Sequence, residues 1–112
     1  IAAAQNGIDE MEAILLRNFD VMMDQVERGE AIPLEDRVRY RYQASLVITK
    51  SIQIIDSLFE VAGGHSVFND SEIQQRFRDV HTARAHVANN PTSFARNFGG
   101  VSLGMENTDF FI

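Results

Sequence analysis

The chain has 112 residues, enough for one domain with a modest buried core. Its formal net charge is −6 and its Lys and Arg residues form no basic stripe, so neither a nucleic acid nor an anionic membrane surface is an expected partner. It contains no cysteine, which excludes disulfides and thiolate metal sites and fits a cytoplasmic protein.

The first predicted element is an amphipathic helix over residues 6–28. Its apolar residues recur at spacings of three and four, as in a helix that buries one face. These residues are Ile8, Met11, Leu15, Phe19, Met22 and Val26. Asn6 is the candidate N-cap, and Gly29 is the candidate stop signal.

A second helix is predicted over residues 34–62, after a short connection that contains Pro33. Its first half is polar on one side, whereas its second half, from Leu46 to Val61, is apolar nearly all round. A helix that is apolar on every side must be covered on every side. We therefore expect further protein, from a longer chain or from a partner subunit, to pack against this helix.

The stretch AGGHSVFNDS interrupts the helical pattern after residue 62. Gly63-Gly64 has two interpretations. It is either an ordinary glycine C-cap or a tight turn whose backbone N–H groups approach a phosphate. The residues alone favour the C-cap.

A third helix is predicted over residues 71–90 and ends before Pro91, because the residue before a proline avoids the helical conformation. Residues 92–112 form a tail that begins with another helical turn or two. Helices joined by short links predict an all-α fold, an antiparallel up-and-down bundle or part of one.

One polar stripe of the third predicted helix stands out. On a continuous helix, Asp79, Thr82, His86 and Asn90 would share one face beside the apolar stripe. Exposed polar residues are usually only solvated, and periodicity alone favours that interpretation. A metal site is not expected, because His81 and His86 are five residues apart and would point about 140° away from each other around a helix.

Three features of residues 57–91 resemble a known family: the small-Gly-Gly turn at residues 62–64, the run QRFRD at 75–79 and the run ARAHVANN at 83–90. Together they resemble the C-terminal helical domain of the acyl-CoA dehydrogenase fold. They are most similar to the oxygenase components of two-component flavin-dependent monooxygenases, of the 4-hydroxyphenylacetate hydroxylase and hydroxysecoandrostadienetrione hydroxylase type.

The resemblance implies a C-terminal bundle of a longer protein that self-associates as a homotetramer or dimer. It implies a reduced flavin, FADH₂ or FMNH₂, delivered by a separate flavin reductase. The flavin would react with O₂ to give a C4a-hydroperoxyflavin that hydroxylates a small aromatic, phenol-type substrate. Neither a metal, a nucleic acid nor a membrane is implied.

The resemblance also implies roles for individual residues. His86 matches the family's active-site histidine, which would hydrogen-bond the substrate hydroxyl or the activated oxygen. The positions that match the cofactor contacts are Gly63, Gly64, His65, Ser66, Arg78 and Asn90. The roles of His81, Arg76 and Asn89 are left open.

Two alternatives stay open at the level of sequence. Acyl-CoA dehydrogenases of the same fold usually carry Gln-x-x-Gly-Gly-x-Gly at the glycine turn. This chain has Glu60 at the Gln position and Ser66 at the last Gly, which favours a monooxygenase. The other alternative is a non-catalytic helical oligomerisation module. The chain begins Ile-Ala-Ala-Ala without an initiating Met, so we expect a piece of a longer protein.

Overall fold

The computed structural model describes all of residues 1–112 and contains α-helices but no β-strand. The all-α prediction is therefore confirmed. The four α-helices are α1 (Ala2–Glu27), α2 (Leu34–Ala62), α3 (Glu72–Ala83) and α4 (Pro91–Ser102). Two short 3₁₀-helices, Gly63–Val67 and Val87–Asn89, lie directly before and after α3.

The helix α2 has the predicted bounds, but α1 begins earlier than Asn6. Asn6 lies inside the helix, where its Nδ2 donates to Glu10 Oε1 one turn later at 2.9 Å. Asn6 is therefore not the N-cap. The preceding alanines explain the difference, because alanine has the highest helix propensity and extends the helix back to Ala2.

The helix α2 is the centre of the fold, and α1 packs antiparallel along one side of it. Near one end of α1, Lys50 of α2 pairs with Glu10. Further along, Asn18 Nδ2 donates to Gln43 Oε1 at 2.8 Å. Residue numbers rise along α1 as they fall along α2, as the short connection between the two helices predicts.

The helices α3 and α4 lie end to end along α2. The Phe77 ring of α3 lies 4.4 Å from the Phe59 ring, between centroids, and the Phe98 ring of α4 lies 6.0 Å from the Tyr42 ring. Both helices therefore run antiparallel to α2, α3 against its C-terminal half and α4 against its N-terminal half. They occupy the place of one long helix that is broken in the middle.

That break corrects the helix predicted over residues 71–90, which ends at Ala83, and the tail, of which residues 91–102 are α4. Side chains after Ala83 bond to the backbone and compete with helical hydrogen bonds. Asn89 Nδ2 donates to the carbonyl oxygen of Ala83 at 2.8 Å. Asn90 Oδ1 accepts from Thr92 N at 3.2 Å and so caps α4.

A Schellman turn ends α4 and reverses the chain. Gly104 has a φ of 84°, a value that favours glycine, and its N–H donates to Val101 O at 2.9 Å. The N–H of Met105 then donates to Gly100 O at 2.9 Å. The segment after this turn returns along α4, where its side chains meet Asn97.

Much of the apolar surface stays uncovered. Four large apolar residues at helical spacing are exposed on α1 and form what we call the α1 outer stripe: Leu16, Phe19, Met23 and Val26. The sequence pattern predicted that α2 would need further protein to cover its apolar surface. In the structure, α1, α3 and α4 cover much of that helix. No helix combines the length and apolar character required to cross a membrane.

Candidate functional site

His86 lies in the break between α3 and α4, above the middle of α2. The break packs against α2, and Thr49 of α2 shares a cavity of about 440 Å³ with His86. Polar groups dominate this cavity, which we call the polar cavity. Its polar side chains come from Thr49, Arg84, His86, Asn89, Asn90 and Thr92.

His86 also borders a second cavity of about 440 Å³, on the side of α4. We call it the apolar cavity, because the rings of Phe94, Phe110 and Phe111 and the side chain of Val87 line it beside the imidazole. The histidine thus separates a polar cavity from an apolar one. Apolar walls with a polar group at their border are typical of a surface that binds a small apolar ligand.

The backbone fixes the orientation of the His86 ring. His86 Nδ1 accepts a hydrogen bond from Ala88 N at 3.1 Å, at the start of the short 3₁₀-helix. In the neutral imidazole, the other ring nitrogen must then carry the proton. Nε2 is therefore the hydrogen-bond donor that this exposed side chain offers to a ligand.

The other predicted site residues of this region, Asn90 and Arg78, differ in which polar groups have no partner within the chain. Asn90 lies in the polar cavity beside His86, and its Oδ1 is occupied by Thr92 N. Its Nδ2 has no hydrogen-bond partner within the chain, so it can donate to a ligand. Arg78 is exposed on α3 and forms no ion pair within the chain.

The glycine turn forms a separate group. Gly63 is the C-cap of α2, with a φ of 68° and a ψ of −157°, a region that only glycine readily adopts. Ser66 is buried, and its hydroxyl donates to Gly63 O at 2.6 Å, so this side chain closes the turn. Gly64 and His65 are exposed, and a Cβ on Gly64 would meet open space.

The structure therefore divides the predicted site residues into two groups. The turn at residues 63–66 precedes α3, and His86 and Asn90 follow it. The 12 residues of α3 span about 18 Å, and Arg78 lies between the two groups. The predicted polar stripe of Asp79, Thr82, His86 and Asn90 does not form, because the helix ends before His86.

Sequence reasoning missed the contribution of the C-terminal segment to this site. Asn97 is buried, and its Oδ1 accepts from Thr108 N at 2.8 Å. A signal was available, because Asn97 lies within the apolar stripe formed by Phe94, Phe98 and Val101. A buried amide needs hydrogen-bond partners, so its position predicted a chain segment packed against α4.

Titratable side chains do not suggest a metal centre. No group of three or more His, Asp or Glu residues is arranged to hold a metal ion. His81, the other histidine of α3, lies 2.7 Å from Asp56 of α2, between Nε2 and Oδ1. It connects these two helices, and His86 alone of the histidines borders the two cavities.

Comparison with known proteins finds sequence similarity to oxygenase components of known enzymes. The oxygenase subunit HsaA of a flavin-dependent monooxygenase from Mycobacterium tuberculosis is 33% identical over 112 residues, all of this chain and 28% of that protein. The oxygenase component of p-hydroxyphenylacetate 3-hydroxylase from Acinetobacter baumannii is 31% identical over 67 residues, which are 60% of this chain and 16% of that protein.

A solved structure and a family profile agree with these relatives. The crystal structure of the HsaA monooxygenase from M. tuberculosis superposes with a TM-score of 0.93 at 32% identity, over 99% of this chain and 29% of that one. Residues 1–91 match the family described as acyl-CoA dehydrogenase, C-terminal domain. The resemblance found in residues 57–91 is thus confirmed, and the chain belongs to the acyl-CoA dehydrogenase C-terminal domain family.

Proposed function

We propose that this chain is the C-terminal domain of the oxygenase component of a two-component flavin-dependent monooxygenase. The enzyme would hydroxylate a phenol-type aromatic substrate in the cytoplasm, with O₂ and a reduced flavin, FADH₂ or FMNH₂, from a separate reductase. The single observation that carries the proposal is the His86 Nε2 donor at the edge of an aromatic-lined cavity. The names of the relatives support the same chemistry.

The chain spans 28% of the length of its HsaA relative. Both cavities beside His86 are open at the surface of this domain, so the remaining walls of the site must come from elsewhere. We propose that other domains of a longer polypeptide, or a neighbouring subunit, supply them. The activity then belongs to the complete protein.

The residues present fit one wall of a flavin site. The polar cavity offers the Arg84 guanidinium and the Asn90 amide N–H, which suit carbonyl or phosphate oxygens. At the glycine turn, the open space beside Gly64 lets a ligand approach the backbone closely. We assign the turn at residues 63–66 and Arg78 to the phosphate or adenosine part of the flavin. Ser66 acts there only by shaping the turn.

A bound reduced flavin supplies the electrons that activate O₂ for transfer to the aromatic ring. His86 contributes a hydrogen bond from Nε2 to the oxygen of the substrate hydroxyl or to the oxygen that is transferred. With Nδ1 occupied by Ala88 N and Nε2 protonated, the neutral ring donates and does not accept. It therefore stabilises negative charge on the phenol oxygen, which raises the electron density of the ring that is hydroxylated.

The function is tested with the full-length protein, a flavin reductase and a set of simple phenols. We expect hydroxylated product only when both reduced flavin and O₂ are present. Oxidised FAD mixed with acyl-CoA thioesters without O₂ is the matched comparison. Bleaching of the flavin in that mixture, with no phenol hydroxylation in the first, would contradict the proposal and identify an acyl-CoA dehydrogenase.

The α1 outer stripe supports self-association, as a dimer or homotetramer. Its four large apolar side chains are 57–60% exposed in the single chain, and contiguous apolar surface of this kind marks an interface. We expect Leu16→Glu combined with Phe19→Glu to reduce the sedimentation coefficient to that of a single subunit. Asp24→Lys, which changes the charge on another exposed side of α1, should leave the assembly intact. A monodisperse monomer of the unaltered protein would contradict this assignment.

A further inference from the structure

The C-terminal segment, residues 105–112, is held against α4 by a set of polar contacts. Asn97 is the centre of this set. Its Nδ2 donates to Asn107 Oδ1 at 2.8 Å, and its Oδ1 accepts from both the backbone N–H and the hydroxyl of Thr108 at 2.8 and 3.0 Å. A buried amide that makes three hydrogen bonds fixes the register of the segment that it meets.

A second anchor joins the segment to α2. Asp109 Oδ2 lies 3.6 Å from Arg41 Nε, and the Asp109 side chain is only 10% exposed. The Arg41 guanidinium also lies over the Phe94 ring of α4, 4.2 Å from its centroid. Arg41 thus connects α2, α4 and the C-terminal segment at one point, next to the apolar cavity.

These anchors hold two aromatic rings in the open. Asp109 Oδ1 accepts from Phe111 N at 3.0 Å, so the same carboxylate that pairs with Arg41 also orients the backbone of the aromatic pair. The Phe110 and Phe111 rings pack edge to face with centroids 5.3 Å apart. They are 91% and 81% exposed, although both line the apolar cavity beside His86.

We propose that Phe110 and Phe111 are specificity-determining residues that contact the aromatic ring of the substrate, and that Asp109 and Arg41 are positioning residues for them. This inference rests on the proposed function. Anchored, solvent-facing rings leave apolar area that a flat ligand ring covers well. Because His86 binds the hydroxyl and the two phenyl rings bound the space beyond it, they set the size of ring that reaches His86.

The first test is Phe110→Ala in the full-length protein with its reductase, measured with phenol and with 2-naphthol. Removing one wall enlarges the cavity, so we expect the ratio of kcat/KM to shift toward 2-naphthol by about tenfold. The change should appear in KM, with kcat within about twofold, because the groups that act on oxygen are untouched. Leu103→Ala, an exposed apolar residue outside the cavity, is the matched control. An unchanged ratio, or a loss confined to kcat, would overturn the assignment.

The second test is Arg41→Met, with Arg41→Lys as the conservative variant. Losing the ion pair should accelerate deuterium exchange at the amides of Thr108 and Phe111 by about tenfold and raise KM, with kcat retained. Arg41→Lys should restore part of both effects because it keeps the charge. Unchanged exchange at these amides would contradict the positioning role.

The outcomes separate this inference from the proposed function. If no phenol is hydroxylated by any variant, the proposed function fails, whereas binding of phenol and 2-naphthol measured by calorimetry still decides the role of Phe110. If hydroxylation occurs and Phe110→Ala leaves both binding affinities unchanged, the proposed function stands and this inference fails.

Discussion

The helical chain is interrupted on both sides of α3, and the two breaks are built differently. The break before α3 depends on backbone freedom, because Gly63 adopts a conformation that other residues avoid. The break after α3 depends on side chains. His86 and Asn90 accept hydrogen bonds from the backbone N–H groups of Ala88 and Thr92. Asn89 donates a second hydrogen bond to the Ala83 carbonyl, which also accepts from His86 N.

This difference determines which hydrogen-bonding groups each break leaves available to a ligand. The glycine turn uses one side-chain hydrogen bond, from Ser66 to Gly63 O, and its exposed backbone at Gly64 stays accessible. In the second break, His86 uses Nδ1 and Asn90 uses Oδ1 for bonds to the backbone, and the other polar atom of each side chain stays free. His86 keeps Nε2 and Asn90 keeps Nδ2, both with a defined orientation. This is the preorganisation that a hydrogen-bonding site requires.

The largest expected difference between the two breaks comes from His86→Ala in the full-length protein. Removing the Nε2 donor should lower kcat for product formation by about 100-fold. His65→Ala, in the glycine turn, should instead raise the concentration of reduced flavin that gives the half-maximal rate and leave kcat unchanged. Stopped-flow mixing with product analysis measures both. Similar effects of the two variants on kcat would contradict the division of roles.

The next effect distinguishes the two glycines of the first break. Gly63→Ala forces a residue with a Cβ into a conformation with a φ of 68°, at a cost of about 1–3 kcal/mol in the free energy of unfolding. Gly64 does not have a positive φ, and a Cβ at this position would meet open space. Gly64→Ala should therefore lower the free energy of unfolding by less than about 0.5 kcal/mol. Urea denaturation of both variants checks the pair. Equal losses would show that the turn does not depend on Gly63.

A smaller loss of stability is expected from Asn89→Ala in the second break. This substitution removes the 2.8 Å bond to Ala83 O, which should lower the free energy of unfolding by about 1 kcal/mol. Asn69→Ala is the control, since Asn69 is exposed in the first break and has no side-chain hydrogen bond. The same denaturation assay compares them. If Asn89→Ala is as neutral as the control, side chains do not maintain the second break.

The smallest effect on stability is expected from Asn90→Ser. Serine is as good an N-cap as asparagine, so the free energy of unfolding should change by less than about 0.5 kcal/mol. The free Nδ2 donor is nevertheless lost, and we expect severalfold weaker binding of reduced flavin, measured anaerobically by fluorescence titration. Weaker binding with unchanged stability would show that the Asn90 amide has two separate roles, with Oδ1 capping α4 and Nδ2 binding the flavin. Unchanged binding would exclude Asn90 from the flavin site.

Periodicity in the sequence predicts most of the fold because the helices are long and amphipathic. It predicts α2 with its bounds and the all-α class. It fails at the second break, since alanine-rich residues 83–88 favour a helix and the competing bonds of Asn89 and Asn90 depend on the folded backbone. The apolar stripe of α4 marks Asn97 as a buried amide that needs partners, but the sequence does not identify those partners or the partner of Arg41. The returning C-terminal segment supplies both.

The central position of α2 has a consequence for local unfolding. The helix α1 packs chiefly against α2. Detaching α1 therefore breaks mainly its contact with α2 and leaves the contacts of α2 with α3 and α4 intact. In native-state hydrogen exchange, α1 should open as a separate unit at a lower free energy than α2, which opens only with the whole domain. The His86 break then keeps its protection while α1 exchanges.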